Sequence, residues 1–301
     1  MTLASPLSLG RLTLKNRICI PPMVLYRKAG DDGMVSDAHV DHYRRLAEGG
    51  PGLIIQEATC VAPEGRFSRE QLGIWSDGHI PGLRRITEAV HSAGGTPIFV
   101  QLHHGGIQSV TGDRLCPSAY VLEQQYPIPG REMSLSEIET VRAQFTEGAR
   151  RAYLAGFDGV ELHGCHTYLL CGFLNARVNT RGDVYGSPTR LIREILEGIR
   201  GCTPPGFAVG IRMGAFEPAL ADGIAHALDL ERMGLDFLDV SYGFSGTMDL
   251  SAPGDMSLSP AARGAGAIAG AVSVPVFAAD RIRTPRDAQK ALDSGECRGR
   301  V

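Results

Sequence analysis

Seven short apolar runs alternate with amphipathic helical stretches along the chain, and a repeated strand-then-helix order admits few folds. The runs are Arg17–Pro21, Gly52–Glu57, Pro97–Leu102, Phe157–His163, Phe207–Met213, Asp236–Ser241 and Val274–Ala279. Each is short and largely β-branched or aromatic, as a strand buried on both faces should be. Helical periodicity fills the gaps over Asp37–Glu48, Ile80–Ala93, Glu137–Ala155, Pro188–Arg200, Asp222–Met233, Pro260–Ala271 and Pro285–Ser294. The 137–155 stretch is the clearest: Ser134 and Glu137 form a capping box, and Gly156 supplies the stop. An open doubly wound sheet and a closed barrel both fit this order. A dinucleotide-binding sheet should carry G-x-G-x-x-G after its first strand, and none stands there. The expected fold is therefore an α/β barrel of the TIM (β/α)8 type.

The 301 residues suit a single barrel domain, and no linker-like segment divides them. Leu7, Leu9, Leu12 and Leu14 alternate around Gly10, which predicts a small hairpin over about 7–15 capping one end. After the seventh helix the sequence reads Gly295-Glu296-Cys297-Arg298-Gly299-Arg300-Val301, so the eighth βα unit is expected to be missing and the C-terminal end incomplete.

Charge is nearly balanced, with 30 basic and 33 acidic residues, which argues against nucleic acid or a membrane surface as partner. The 7 cysteines lie scattered without a C-x-x-C pair, as reduced cytoplasmic thiols would. The N-terminus lacks a basic head before an apolar run, and no apolar stretch is long enough to span a bilayer. A cytoplasmic location is expected.

In a barrel of this type the chemistry sits at the C-terminal ends of the strands. Tyr26, Glu57, Gln101, His103, His104, Glu161, His163, His166, Tyr168 and Arg212 all fall there. Histidines in such number raise the possibility of a metal site, but there is no H-E-x-x-H motif and no carboxylate at ligand spacing, so no metal is expected. The bland reading is a set of satisfied polar groups in the core.

Leu14-Lys15-Asn16-Arg17 with Pro22-Met23, then Gly52 through Ala58, Leu72-Gly73-Ile74-Trp75, and Gln101-Leu102-His103 before a glycine pair together resemble the old yellow enzyme (NADH:flavin oxidoreductase) family. The most telling stretch runs from Glu161-Leu162-His163-Gly164-Cys165-His166-Thr167-Tyr168 through Phe173-Leu174 to Asn179-Thr180-Arg181 and Tyr185-Gly186-Ser187. The resemblance covers nearly the whole chain, with the motifs in order. It implies an FMN-dependent oxidoreductase that passes hydride from NADPH or NADH to the activated C=C bond of an α,β-unsaturated carbonyl compound, and a possible homo-oligomer. Pro22, Met23, Val24 and Ala58 would meet the flavin ring, and Gln101 and Arg212 its pyrimidine edge. A cation there suits the negative charge that reduced flavin carries. His163 and His166 would bind the substrate carbonyl, Tyr168 would protonate the α-carbon, and Tyr26 would line the pocket.

Three positions depart from the family pattern. Val24 stands where relatives carry cysteine or threonine, which implies an altered flavin potential. Asp280 replaces a usual glycine in the phosphate-binding region, where Arg281 partly offsets its charge. Gly106 occupies a place where some relatives have arginine. The larger enoate and dienoyl-CoA reductase branch, whose strand-four extension Phe173–Asn179 resembles, adds an iron–sulfur cluster after the barrel. A second reading is a truncated barrel remnant with weak FMN binding and little activity; a third is a metal-dependent barrel hydrolase or lyase.

Overall fold

The computed structural model describes residues 2–244 and 250–293. Strands β1 (Leu7–Leu9) and β2 (Leu12–Leu14) pair antiparallel as the expected hairpin. The βα alternation then runs β3 (Cys19–Ile20), α1 (Asp37–Glu48), β4 (Leu53–Cys60), α2 (Ile80–Ser92) and β5 (Ile98–His103). After an excursion of three short strands, β6 (Leu115–Cys116), β7 (Tyr120–Leu122) and β8 (Ile128–Glu132), it continues with α3 (Leu135–Leu154), β9 (Gly159–Gly164), α4 (Leu169–Leu174) and α5 (Arg190–Cys202). Last come β10 (Ala208–Phe216), α6 (Leu220–Arg232), β11 (Phe237–Gly243), α7 (Pro260–Ala271), β12 (Val276–Ala278) and α8 (Pro285–Asp293).

The main sheet has 7 strands in the order β12-β11-β10-β9-β5-β4-β3, and every pairing in it is parallel. This is a nearly closed TIM-type barrel. Its edges are β3 and β12, and a cleft of about 540 Å³ lies between them, lined by Arg17, Cys19, Asp239, Phe277 and Arg281 among others. The expected start of an eighth strand at 295–301 lies outside the described residues.

Two apolar layers hold the barrel together. Outside the sheet, Ile138, Val141 and Phe145 of α3 and Ile192, Ile195 and Ile199 of α5 join one continuous core with the outward residues of the strands. Inside, Leu7, Leu9 and Leu14 of the hairpin pack with Leu53, Ile55, Phe99, Ala208, Phe237 and Phe277, closing one end. Phe237 stacks between Phe99 and Phe277, with ring centres 5.5 and 5.6 Å away. The alternation of strand side chains thus fills both faces, which is why the strands read as unbroken apolar runs. Among the described residues no helix is long and apolar enough to cross a membrane.

One irregularity in the sheet bears on the site. Gln56 pairs with Val100 and Thr59 with Leu102, so Glu57 and Ala58 together oppose Gln101. This is a β-bulge, and such insertions re-aim side chains at a strand end.

Candidate active site

The C-terminal ends of β5, β9, β10 and β11 set a dense polar group in register. Gln101 pairs with Glu161, and Arg212 with both His163 and Asp239. Gln101 Nε2 donates to Glu161 Oε1 at 2.7 Å, and an Arg212 nitrogen lies 3.4 Å from Asp239 Oδ2. All four side chains are buried. Burial pushes Glu161 well above the usual carboxyl range, reinforced by Asp239. Desolvation is the largest influence and works against charge on Arg212, but Asp239 and the other acidic groups around it together outweigh it and keep the guanidinium charged. Arg212 is therefore both the strand-end ion pair of the bland reading and a cation at the barrel mouth.

Beside this group His163 Nε2 lies 3.2 Å from His166 Nδ1, and His166 Nε2 lies 2.7 Å from Ser241 Oγ at the end of β11. Burial holds His163 well below its ordinary value and lowers His166 to about 4, so both imidazoles are neutral at physiological pH. Tyr168 packs edge-on against His163 and His103, with ring centres 4.8 and 4.4 Å apart. Burial raises its phenol to about 12, which keeps the proton on the oxygen. Phe67, which carries no periodic signal in the sequence, is the hub of the outer wall: its ring meets Tyr26, His103 and Tyr168.

Backbone strain aims these groups. His166 and Thr167 have φ of 60° and 66°, a left-handed pair in non-glycine residues. Each such residue costs on the order of 1–3 kcal/mol and persists only where its surroundings over-determine it. Here His166 N–H donates to Gly243 O, Leu169 N–H to His104 O, and Gln108 Nε2 to Thr167 Oγ1. Gly106 belongs to the same brace. At its φ of 57° a Cβ would sit 2.8 Å from Leu169 Cα, so an arginine here would push α4 and the turn before it out of place.

The other expected site residues fall into two classes. Ala58 lies on the β4 bulge, and Pro22, Met23, Val24 and Tyr26 form the loop after β3, with Met23 68% and Tyr26 66% exposed. Leu25 N–H of that loop donates to Glu57 Oε2 at 2.9 Å. Arg281 stands apart from the histidines: its side chain is 72% exposed, with its Nε 3.9 Å from Asp280 Oδ1. Asp280 itself has φ of 116°, so the backbone keeps the glycine-like bend although the glycine is gone. Tyr242 O–H donates to its carboxylate at 2.5 Å. His103 and His104 point to different jobs: His103 Nδ1 bonds the Gln71 amide in the site, whereas His104 Nδ1 accepts Gly106 N–H beneath the loop.

Ligand atoms of His163, Cys165 and His166 lie within 4.8 Å of one another, the spacing a metal would need. Within the trio the two histidines are hydrogen-bonded to each other, and burial raises the Cys165 thiol well above its usual range.

The sequence profile of the NADH:flavin oxidoreductase / NADH oxidase family matches residues 2–297. The chain belongs to this family. An NADPH dehydrogenase of Geobacillus sp. (strain WCH70) is 40% identical over 249 residues, covering 80% of this chain and 73% of that protein. Among solved structures, an old yellow enzyme homologue from Zymomonas mobilis superposes with a TM-score of 0.79 at 28% identity, covering 98% of this chain and 86% of that one. Morphinone reductase in complex with tetrahydroNAD gives 0.81 at 26% identity, over 98% and 85%. The family assignment makes this a flavin-dependent oxidoreductase with FMN as cofactor and NAD(P)H as reductant. Residues at the barrel mouth fit such a group: Arg212 Nε is a buried donor and His163 Nδ1 a buried ring nitrogen, neither with a protein partner, as a polar ligand would require.

Proposed function

We propose that this old yellow enzyme relative reduces the activated C=C bond of an α,β-unsaturated ketone, aldehyde or enoate. The observation that carries the reading is the neutral His163–His166 pair with the Tyr168 phenol against it, at the same rim as the Arg212 cation. His163, whose Nδ1 has no protein partner, donates its one N–H to a carbonyl oxygen without protonating it, while His166, bonded at both nitrogens, holds that ring in place. That withdraws electron density from the β-carbon, and Tyr168 gives its proton to the α-carbon. General acid help of this kind is worth about 10²–10⁴ in rate. Bound FMN supplies the hydride, received beforehand from NADPH or NADH.

Pro22, Met23, Val24, Ala58, Gln101 and Arg212 would hold the ring, and Tyr26 would close the substrate side. Arg281 would face the phosphate. Tyr242 and Asp280 favour a second reading in which FMN is held weakly, because a carboxylate stands where a dianion should rest. Turnover of NADPH with 2-cyclohexenone, with the product identified, tests the first reading. Formation of cyclohexanone that drops at least about 100-fold in Tyr168→Phe supports it. NADPH oxidation that never yields a saturated product would refute it.

A further inference from the structure

The mechanism above leaves a buried carboxyl without a task. Glu57, on the β4 bulge, is 1% exposed and lies between helix α1 and the loop that follows β3. Its Oε2 accepts Leu25 N–H at 2.9 Å, the only hydrogen bond that residues 22–26 make to the rest of the described chain. Its Oε1 accepts Tyr43 O–H at 3.2 Å, and Tyr43 in turn accepts Glu57 N–H at 2.9 Å. Also on α1, Ser36 N–H donates to His39 Nδ1, which places the remaining proton of the neutral ring on Nε2. That buried Nε2–H has no hydrogen-bond partner and sits 3.9 Å from Glu57 Oε1.

We propose that Glu57 is a positioning residue: its carboxylate holds the loop of residues 22–26 over the strand ends, and uptake of a proton on that carboxylate releases it. The effect on flavin rests on the functional reading above, in which Pro22, Met23 and Val24 meet the ring. The latch itself does not rest on it. A carboxylate is a stronger acceptor than a neutral acid, so the Leu25 bond is charge-assisted only while Glu57 is ionised. Ionisable groups facing Glu57 are Tyr43 and His39; Lys28 and His42 act on His39 in turn. Desolvation raises Glu57 to about 7, with the Leu25 and Tyr43 bonds opposing, so the switch lies in the physiological range.

The test reads the loop directly. Leu25 amide chemical shifts of the flavin-free protein, followed by NMR from about pH 5.5 to about pH 8.5, should move with a midpoint near 7 and stay constant in Glu57→Gln. Riboflavin affinity is measured alongside, because the phosphate of FMN titrates near pH 6 itself. It should weaken on the order of 10-fold toward acid in the wild type, stay flat in Glu57→Gln, and remain weak at every pH in Glu57→Leu. A Leu25 amide that does not titrate in the wild type overturns the latch, as does a Glu57→Gln variant that keeps the wild-type pH dependence. Absence of riboflavin binding at any pH would overturn the flavin reading instead, and the Leu25 titration would still decide the latch.

Discussion

Ser241 Oγ lies 2.7 Å from His166 Nε2, while the other nitrogen of the same ring lies 3.2 Å from His163 Nε2. Held on both sides, His166 has one orientation despite its place at the mouth of the barrel. Ser241→Ala removes one of the two holds and creates little space. It should lower kcat/KM for an unsaturated carbonyl about 5–10-fold, the worth of one ordinary hydrogen bond. FMN affinity should be unchanged. Steady-state kinetics with flavin titration checks both, and an unaltered kcat/KM would show that Ser241 does not orient the ring.

The pH profile follows from burial. His163 lies well below its ordinary value, His166 near 4 and Tyr168 near 12. None of the three changes charge between about pH 5.5 and about pH 10, so the substrate step at saturating FMN should be flat across that range. Stopped-flow reoxidation of the reduced enzyme by an enone measures it. An inflection near 6.5 that persists in Glu57→Gln would mean that one imidazole is protonated during the reaction.

Asp280 combines a φ of 116° with a carboxylate at the expected phosphate end. In Asp280→Gly the bend is relaxed, which is worth on the order of 1–3 kcal/mol, against about 1 kcal/mol for the lost Tyr242 hydrogen bond. The melting temperature should therefore not fall. FMN affinity should rise by on the order of 10-fold as the like charge disappears. Weaker FMN binding in this variant would show that Asp280 serves the phosphate region.

Glu217 gives a stability test with a definite sign. It is fully buried, accepts from Asn175 Nδ2 at 2.7 Å and Cys171 Sγ at 3.1 Å, and is raised to about 7 by desolvation. A carboxyl whose folded value lies above its unfolded one stabilises the fold most at low pH, and loses that contribution as pH rises through the folded value. Glu217→Gln should therefore gain stability relative to wild type between about pH 5 and about pH 8.5, by up to about 3 kcal/mol. Denaturant unfolding at the two pH values reads the difference. A constant offset would mean that Glu217 does not titrate in this window.

The bounds of α1 and α7 match the helical stretches read from the sequence to the residue, and Ser36 and Ser259 stand at their N-caps. The strands were legible as apolar runs, but the five central ones end later than periodicity shows, β4 running on to Cys60 through its bulge and β10 to Phe216, whereas β3 and β12 are shorter than their runs. The excursion β6–β8 was not legible, since strands of two to five residues are too short to show an alternation. At the site, strand-end position pointed to Gln101, His163 and Arg212. The groups that complete the site, Phe67 beside Tyr168, Asp239 on Arg212 and Ser241 on His166, are fixed by contacts distant in sequence. Asp280 was visible as a missing glycine, yet only the backbone shows that the glycine conformation survived.

The most direct measurement is an anaerobic titration of the purified protein with FMN, then NADPH, then 2-cyclohexenone, followed by visible absorbance. A yellow complex should form at one flavin per chain, bleach with NADPH and regain its colour with the enone. A folded protein that takes up no FMN, or one whose NADPH-bleached flavin is recoloured by oxygen but never by an enone, would contradict the assignment of the rim to flavin and carbonyl chemistry.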